Sequence, residues 1–291
     1  MQRPQYTYDL HIHTTASDGG YSPRELVNSA LGLGMRVIAF TDHDTLASNA
    51  EGVSLGERLG LKVIPGVELT TQEMYHILGY YLSPGRSGLS EYLAALRERA
   101  WAFMSDALKS LRNGRGIRVT EDELARRTGE GIPNMAHLLD ILFERGDIDE
   151  IAFDSPSSKI LFGDPDYMVN YFREFSRLRP FTDAAGAVRL ILSAGGVPVW
   201  AHPMQVDQKE VLRLKKAGLV GLEVTTPKHD EATRRALEKI CTESDLIPTG
   251  GTDYHGRYFD TIEKGRLIGT CGVQPQIISR LEELASGLKM V

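Results

Sequence analysis

The sequence predicts an α/β fold: a parallel, barrel-like sheet of seven strands, interrupted by an all-helical insertion. Two observations lead to this prediction. Short apolar runs alternate with amphipathic helical stretches in both flanks of the chain, which is typical of a parallel sheet. Between the flanks, residues 85–182 show helical periodicity with no strand-like run among the helices. We therefore predict a barrel formed by residues 1–84 and 183–291, with residues 85–182 inserted as a helical cap domain.

The N-terminal flank contains four of the predicted strands. They cover Tyr6–Leu10, Val37–Phe40, Val63–Val67 and His76–Leu82. A helix over Pro23–Leu33 follows the first strand, because Ser22 is a good N-cap and proline is favoured at the first helical position. A second helix is predicted over Ala47–Leu59 and stops at Gly60.

The insertion carries apolar stripes at helical spacing. Predicted helices cover Leu89–Leu111, a segment opened by a Thr120–Glu123 capping box, a segment that begins at Met135, and Asp166–Leu178. His137 lies off the apolar stripe of its helix, so we expect its side chain to be solvated.

Alternation of strand and helix resumes in the C-terminal flank. Strands are predicted over Val197–Ala201, Leu219–Val224 and Ile247–Thr249, and helices over Ala184–Ala194, Glu210–Ala217, Glu231–Glu243 and Gln276–Leu288. These three strands complete the set of seven.

The net charge and the cysteine content of the chain limit the kinds of ligand that it can bind. The 291-residue chain has a formal net charge of -6, which argues against a long nucleic acid held on a broad basic face. A small phosphorylated ligand remains possible, because bound metal ions reverse the charge locally. The two cysteines, Cys241 and Cys271, have neither zinc-type spacing nor a disulfide framework. With no leader-like apolar segment and no membrane span in the sequence, we expect a cytoplasmic protein; nothing indicates its oligomeric state.

Residues of metal-ligand type follow the predicted strands. His11 and His13 are two apart on a strand, so their side chains point the same way. Similar residues follow other strands, and the carboxyl ends of parallel strands share one edge of a sheet. This set comprises His11, His13, Asp18, His43, Glu68, His202, Asp253 and His255. Any one of them alone is more often an ordinary loop residue, and the coincidence of the set favours a site.

His76 fits this argument least well, because it begins the fourth run and would lie at the opposite end of a parallel sheet. Imidazole and carboxylate ligands without a thiolate suit manganese, iron or zinc. So many ligands exceed the needs of one ion, and we predict a cluster of two or three metal ions, with Glu68 as a candidate bridging carboxylate.

Apart from Asp18, the candidate ligands lie in six short segments: Asp9–Thr14, Thr41–Asp44, Pro65–Glu68, His76–Tyr80, Ala201–Pro203 and Gly251–Gly256. In this order, the segments resemble the motifs of the PHP (polymerase and histidinol phosphatase) family. The resemblance implies a distorted seven-stranded β/α barrel with three divalent metal ions, and it includes His76 as a ligand. The implied ligands are His11, His13, Glu68 and Asp253 for the first metal, Glu68, His76 and His202 for the second, and Asp18, His43 and His255 for the third.

Three further aspartates, Asp9, Asp42 and Asp44, are expected to orient the histidines, although Asp44 is equally explained as a turn residue. The nearest family branch carries a helical insertion and includes nucleoside 3′,5′-bisphosphate phosphatases. That branch usually has a Gly-Arg-Pro-His segment that contributes to phosphate recognition. The matching segment here is Gly131-Ile132-Pro133-Asn134, which lacks the arginine and the histidine. A sugar phosphate or a cyclic sugar phosphodiester is therefore an alternative substrate.

The predicted reaction is hydrolysis of a small phosphate ester by a hydroxide that bridges metal ions, with release of inorganic phosphate. The leaving oxygen receives a proton from His229 or from a water held by Asp18, so both are candidate catalytic residues. Candidate substrate contacts are Lys228, His229, Asn134 and Arg266. Histidinol phosphate, short oligonucleotides and a non-catalytic metal-stabilised binding domain remain as alternatives.

Overall fold

The computed structural model describes residues 4–82, 87–148, 182–258 and 267–289. Seven strands form one sheet in chain order: β1 (Tyr8–Ile12), β2 (Val37–Phe40), β3 (Lys62–Thr70), β4 (His76–Tyr80), β5 (Val197–Trp200), β6 (Gly221–Thr225) and β7 (Ile247–Gly250). The segment after β7 returns to β1, where Tyr254 donates its N–H to the His11 carbonyl and accepts the His13 N–H at 2.9 Å. The sheet is therefore a nearly closed barrel, as predicted.

The direction of β4 differs from the all-parallel prediction. β4 pairs antiparallel with β3 and with β5, while the other strand pairs along the sheet are parallel. The reason is the link of residues 71–75 between β3 and β4, which suffices for a hairpin but not for a parallel crossover. Because β4 is reversed, His76 at its start lies at the same end of the barrel as the carboxyl ends of its neighbours. The objection that His76 would lie at the opposite end of the sheet from the other candidate ligands therefore does not apply.

The described helices are α1 (Pro23–Leu33), α2 (Asn49–Leu59), α3 (Ser87–Arg115), α4 (Glu121–Thr128), α5 (Met135–Glu144), α6 (Ala184–Ser193), α7 (Gln208–Ala217), α8 (Glu231–Glu243) and α9 (Pro275–Lys289). The predicted caps are confirmed: Ser22 and Glu25 form a capping box on α1, and Thr120 and Glu123 form one on α4. None of these helices is long and apolar enough to cross a membrane.

Helices α3 to α5 form a cap beside the barrel, and residues 87–148 contain no strand. The C-terminal half of α3 packs with α4 and α5 in a separate apolar cluster that includes Met104, Leu108 and Leu139. The N-terminal half of α3 instead packs in the cluster that contains α6. A helix of 29 residues is about 43 Å long, which allows α3 to join both cores. The exact domain boundaries stay a prediction, and the predicted helix Asp166–Leu178 lies outside the described residues.

Helix α9 closes one end of the barrel. Its Ile278, Leu281 and Ala285 share a buried cluster with Val197 and Ile247, the first residues of β5 and β7. The amino ends of the parallel strands are therefore covered by apolar packing, and the site lies at the other end.

Candidate metal centre

The nine predicted ligand residues are all described, and they meet at the carboxyl ends of the parallel strands around Glu68. One Glu68 oxygen, Oε2, lies 3.2 Å from Nε2 of His11, 3.2 Å from Nε2 of His13 and 3.3 Å from Nδ1 of His43. The other, Oε1, lies 2.9 Å from His76 Nδ1 and 3.0 Å from His202 Nε2. A single buried carboxylate is thus surrounded by five imidazole rings.

Two other carboxylates flank Glu68. Asp253 Oδ1 lies 3.2 Å from His11 Nε2 and 3.1 Å from His13 Nε2. Asp18 lies on the opposite flank, with its oxygens 3.4 Å from His255 Nε2 and 3.8 Å from His43 Nε2. The His11–His13 pair therefore connects Asp253 with the Asp18 side of the cluster, since His13 Nδ1 is 3.5 Å from Asp18 Oδ1.

The donor atoms fall into three groups, within each of which they lie no more than 4.8 Å apart. The groups are His13, Asp18, His43 and His255; His11, Glu68, His202 and Asp253; and His43, Glu68 and His76. Two features differ from the predicted sets: His202 groups with His11 rather than with His76, and His13 groups with Asp18. Because the groups share His43 and Glu68, the allocation of ligands to individual ions stays a prediction.

These residues fit divalent cations. Four of their buried polar atoms have no hydrogen-bond partner: His11 Nε2, His13 Nδ1, His43 Nδ1 and Glu68 Oε2. Glu68 and Asp253 are buried carboxylates, and Lys228 is the one lysine or arginine that pairs with either of them in the described part of the chain. Buried carboxylates are costly unless paired with positive charge. An oxygen and imidazole donor set without sulfur suits manganese, iron or zinc.

The ionisation of the site is governed by burial and by neighbouring charges. Burial alone would raise the pKa of Glu68, but the surrounding imidazoles hold it well below its usual range. The same balance lowers the pKa of Asp18, and for Asp253 the Lys228 ammonium is the largest lowering influence. Burial lowers the pKa of His43 to about 3, so its ring is neutral. The neighbouring carboxylates outweigh burial at two other rings and raise the pKa of His11, and that of His13 to about 10. Metal binding would therefore release protons from His11 and His13, since neutral imidazoles and ionised carboxylates are the forms that bind metal ions.

The backbone is strained at two candidate ligands. His202 has a φ of 30° and Asp253 a φ of 53°, both in the region that favours glycine. Such conformations cost on the order of 1 kcal/mol or more for a residue with a Cβ atom, and they concentrate at functional sites. The surrounding hydrogen bonds hold these residues in place.

In the hydrogen bonds described for them, the three supporting aspartates bind backbone N–H and hydroxyl groups, and their predicted role in orienting the histidines stays a prediction. Asp9 accepts the N–H and the hydroxyl of Thr252 and joins β1 to the segment after β7. Asp42 accepts hydrogen bonds from Thr14 and Ser17, and Asp44 accepts the Thr70 N–H. The hydrogen bonds described for them do not include an imidazole ring.

Glu223 is the residue that sequence reasoning missed. It is fully buried in β6; Oε1 lies 3.0 Å from His11 Nδ1, and Oε2 accepts the His202 N–H at 2.8 Å. His11 Nδ1 therefore donates to Glu223, which leaves Nε2 to face Glu68 and Asp253. A carboxylate that orients a ligating histidine in this way commonly tunes metal binding. The one sequence signal was a charged residue inside an apolar predicted strand.

We expect Glu223→Gln to weaken metal binding by about 10- to 100-fold, because the amide cannot match the carboxylate as an acceptor for His11. Metal titration followed by calorimetry measures this change. Exposed Glu231→Gln is a matched control and should bind metal as the unchanged protein does. Equal metal affinity in both variants would contradict the orienting role.

Lys228 and His229 follow β6 at the site. Lys228 Nζ lies 2.5 Å from Asp253 Oδ2, and this carboxylate outweighs burial and raises the pKa of the lysine. His229 is buried, and its Nδ1 donates to the Val224 carbonyl at 2.9 Å, since a carbonyl only accepts. Its Nε2 is buried and has no hydrogen-bond partner among the described residues.

The side chains of Asn134 and His137 in the cap make hydrogen bonds that the sequence did not indicate. The Asn134 amide donates to the carbonyls of Ser17 and Ile132, so neither amide hydrogen is left for a substrate oxygen. The predicted substrate contact at Asn134 stays a prediction. The prediction of a solvated His137 is wrong, because its side chain is buried against Thr15. Arg266 lies outside the described residues, so its predicted contact stays a prediction.

Comparison with known proteins agrees with this geometry. The PHP domain family matches residues 9–227. The chain belongs to the PHP family. The expectations drawn from the six motifs are thereby confirmed at the level of family and fold.

Two relatives are similar along most of their length. The chain is 30% identical, over 273 residues, to a phosphoribosyl 1,2-cyclic phosphate 1,2-diphosphodiesterase of Eggerthella lenta, covering 86% of this chain and 94% of the relative. It is 30% identical to a 5′-3′ exoribonuclease of Haemophilus influenzae, covering 85% and 89%. A solved structure is also similar: the crystal structure of a proposed metal-dependent phosphoesterase from Bifidobacterium adolescentis, which is 24% identical in sequence. The match has a TM-score of 0.78 and covers 97% of this chain and 98% of the other, so the two proteins share a fold.

These findings confirm the predicted reaction class, metal-dependent hydrolysis of a phosphate ester. The chain is an enzyme of the PHP family.

Proposed function

We propose that this enzyme binds three divalent cations, manganese, iron or zinc, and hydrolyses the phosphate ester of a small metabolite with release of inorganic phosphate. The observation that carries the proposal is the set of five imidazoles around Glu68, flanked by Asp18 and Asp253. The three donor groups around His43 and Glu68 are the candidate positions of the ions. When bound, such ions lower the pKa of water and offset negative charge on a phosphoryl group.

The chain's own residues would bind the ester and move protons. Lys228 adds a positive charge beside Asp253, where it can pair with a phosphate oxygen. His229 offers Nε2, and Asp18 offers a carboxylate oxygen, as proton-holding groups near the leaving oxygen. No covalent bond to the protein is needed in this proposal.

We favour a sugar phosphate or a cyclic sugar phosphodiester over a nucleoside 3′,5′-bisphosphate as the substrate. A monoester releases inorganic phosphate when one water hydrolyses its ester bond, and a cyclic phosphodiester does so after two waters hydrolyse both of its ester bonds. Both amide hydrogens of Asn134 are engaged within the protein, and Ile132 is an apolar buried residue. The cap segment that the family branch uses for phosphate recognition therefore supplies no side-chain donor from these two positions. The name of the Eggerthella lenta relative, a cyclic phosphodiesterase, supports the same choice.

The test is hydrolysis by the manganese-loaded enzyme, followed by ³¹P NMR. The panel comprises linear and cyclic ribose phosphates, histidinol phosphate, 3′,5′-bisphosphonucleosides, simple nucleotides and a short oligoribonucleotide. We expect kcat/KM to be greatest for a sugar phosphate. The matched control is Asp253→Asn, which should remove the activity on every compound.

Three other outcomes of the hydrolysis panel would contradict part of the proposal. A preference for bisphosphonucleosides would refute the substrate assignment while leaving the reaction class intact. Processive loss of 5′ nucleotides from the oligoribonucleotide would favour the exonuclease reaction of the Haemophilus influenzae relative. Metal binding with no turnover of any compound would favour a non-catalytic binding domain.

A further inference from the structure

We propose that the cap segment Gly131–Asp140 is a clamp that positions two ligand-bearing loops of the metal centre, with Asn134 and His137 as positioning residues. The two loops are Thr14–Asp18, after β1, and the segment after β7 that carries His255. This inference rests on the proposed metal binding. It gives the cap a role in assembling the ligands, in addition to any contact with substrate.

Three successive tethers join the clamp to the Thr14–Asp18 loop. Ile132 donates its N–H to the Ala16 carbonyl at 2.8 Å. The Asn134 amide donates to the Ser17 carbonyl, and His137 Nε2 lies 2.9 Å from the Thr15 carbonyl oxygen. Three consecutive carbonyls of the loop are thus held by the cap.

The His137 ring is held in one tautomer. Its Nε2 must donate to the Thr15 carbonyl, and Nδ1 accepts the Asn134 N–H at 3.3 Å and faces the Thr128 hydroxyl at 3.3 Å. Burial lowers the pKa of His137, so the neutral ring is favoured. Nε2 therefore joins the cap to the loop, while Nδ1 is engaged within the cap and fixes the orientation of the ring.

Gly131 allows this close approach. A Cβ atom at this position would lie 2.2 Å from the Ala16 carbonyl oxygen, which no side chain can accommodate without movement of the backbone. The segment is also held from α3, where Arg97 donates to the carbonyls of Gly131 at 2.8 Å and Gly129 at 2.9 Å. Helix α3 of the cap therefore also holds the clamp segment in position.

The barrel holds the same loop from the other side. Asp42 accepts the Thr14 N–H at 2.7 Å and the Ser17 hydroxyl at 2.7 Å. Every residue from Thr14 to Ser17 is therefore hydrogen-bonded to the barrel or to the cap. Asp18 comes next in the chain, and its carboxylate faces His43 and His255, so the position of the loop determines the position of this ligand.

The clamp also contacts the second ligand loop. Arg257 Nη2 lies 3.1 Å from Asp140 Oδ1 on α5, and Arg257 is two residues after His255. Asp140 is buried and also pairs with Arg127 of α4. The cap is therefore linked to both loops that supply Asp18 and His255, whose facing atoms are 3.4 Å apart. We infer that the ion proposed to bind Asp18, His43 and His255 depends on the cap.

The test compares His137→Leu and Asn134→Ser with the unchanged enzyme. Serine retains an acceptor for the N-terminus of α5 but has no amide to reach Ser17. We expect the manganese ion proposed to bind Asp18, His43 and His255 to lose about 10- to 100-fold in affinity, with kcat falling and KM changing little, because ligand-positioning residues act on metal binding at this scale. Titrated metal content by mass spectrometry and steady-state kinetics measure these changes. His137→Gln should restore both values, because its amide nitrogen can donate to Thr15.

Thr120→Ala is the matched control. It removes the capping box of α4 and should lower the melting temperature, and the side-chain hydrogen bonds described for Thr120 are those with Glu123 inside the cap. We expect full metal content in this variant. The clamp is refuted if His137→Leu and Asn134→Ser retain all their metal and kcat, or if Thr120→Ala loses as much metal as they do. Should His137→Leu not fold, Asn134→Ser carries the comparison. An unchanged enzyme that binds no metal would instead refute the proposed function.

Discussion

Replacement of Glu68 by glutamine is expected to lower kcat by about 10³-fold or more, with loss of bound metal. Both carboxylate oxygens of Glu68 face imidazoles that are candidate ligands, so an amide at this position removes the shared negative donor. Metal ions contribute several kcal/mol to the stabilisation of a phosphoryl transition state, and each 1.36 kcal/mol corresponds to a factor of ten in rate. Steady-state kinetics and metal analysis on the same sample measure both effects.

His229→Asn is the comparison for the Glu68 variant. His229 belongs to none of the three donor groups, so this variant should retain its metal and lose much less activity. Asp253→Asn should behave as Glu68→Gln does, because Asp253 faces both His11 and His13. Mild and equal losses in all three variants would contradict the metal assignment.

Removal of the metal ions should lower the melting temperature by roughly 5–10 °C. The site brings the buried carboxylates Glu68, Glu223 and Asp253 together, and Lys228 pairs with Asp253. Bound cations would offset the remaining negative charge and stabilise the folded state. A ligand at about 100 times its dissociation constant adds about 2.7 kcal/mol to the free energy of unfolding. For a chain of this size, each kcal/mol shifts the melting temperature by about 2–4 °C. Differential scanning calorimetry with and without a chelator measures the shift.

The control for this shift is the Glu68→Gln variant, in which added manganese should raise the melting temperature much less than in the unchanged enzyme. Returning manganese to the chelated enzyme should restore both stability and turnover. A melting temperature that does not respond to metal ions would show that the donor cluster does not hold them in the folded state.

Eight of the nine candidate ligand residues were predictable because spacing along a strand and position after a strand are local properties. His11 and His13 needed only the two-residue period of a strand, and Glu68 needed only its place after an apolar run. The capping boxes at Ser22 and Thr120 were equally local, and both are confirmed. Strand ends were less well predicted, since β1 covers Tyr8–Ile12 rather than Tyr6–Leu10.

The direction of β4 and the hydrogen-bond partners of buried carboxylates were harder to predict. The reversal of β4 depends on the short link after β3, which the assumption of a wholly parallel sheet overlooked. Glu223 resembled an isolated charge in a strand, because its partners His11 and His202 are 212 and 21 residues away in the chain. Asp9 and Asp42 were recognised as supporting residues, but their hydrogen-bond partners were not, for the same reason.

The contacts between the cap and the barrel could not be predicted from the sequence. Helical periodicity placed His137 off an apolar stripe, and its burial comes from contact with the Thr15 carbonyl, 122 residues away. The sequence by itself determined the α/β class, the order of strands and helices in the barrel and eight of the nine candidate ligand residues, because these depend on local spacing, while His76 came from the family resemblance. The tertiary structure decided which carboxylate orients which histidine and how the cap holds the Asp18 loop, because those contacts join segments that lie far apart in the chain.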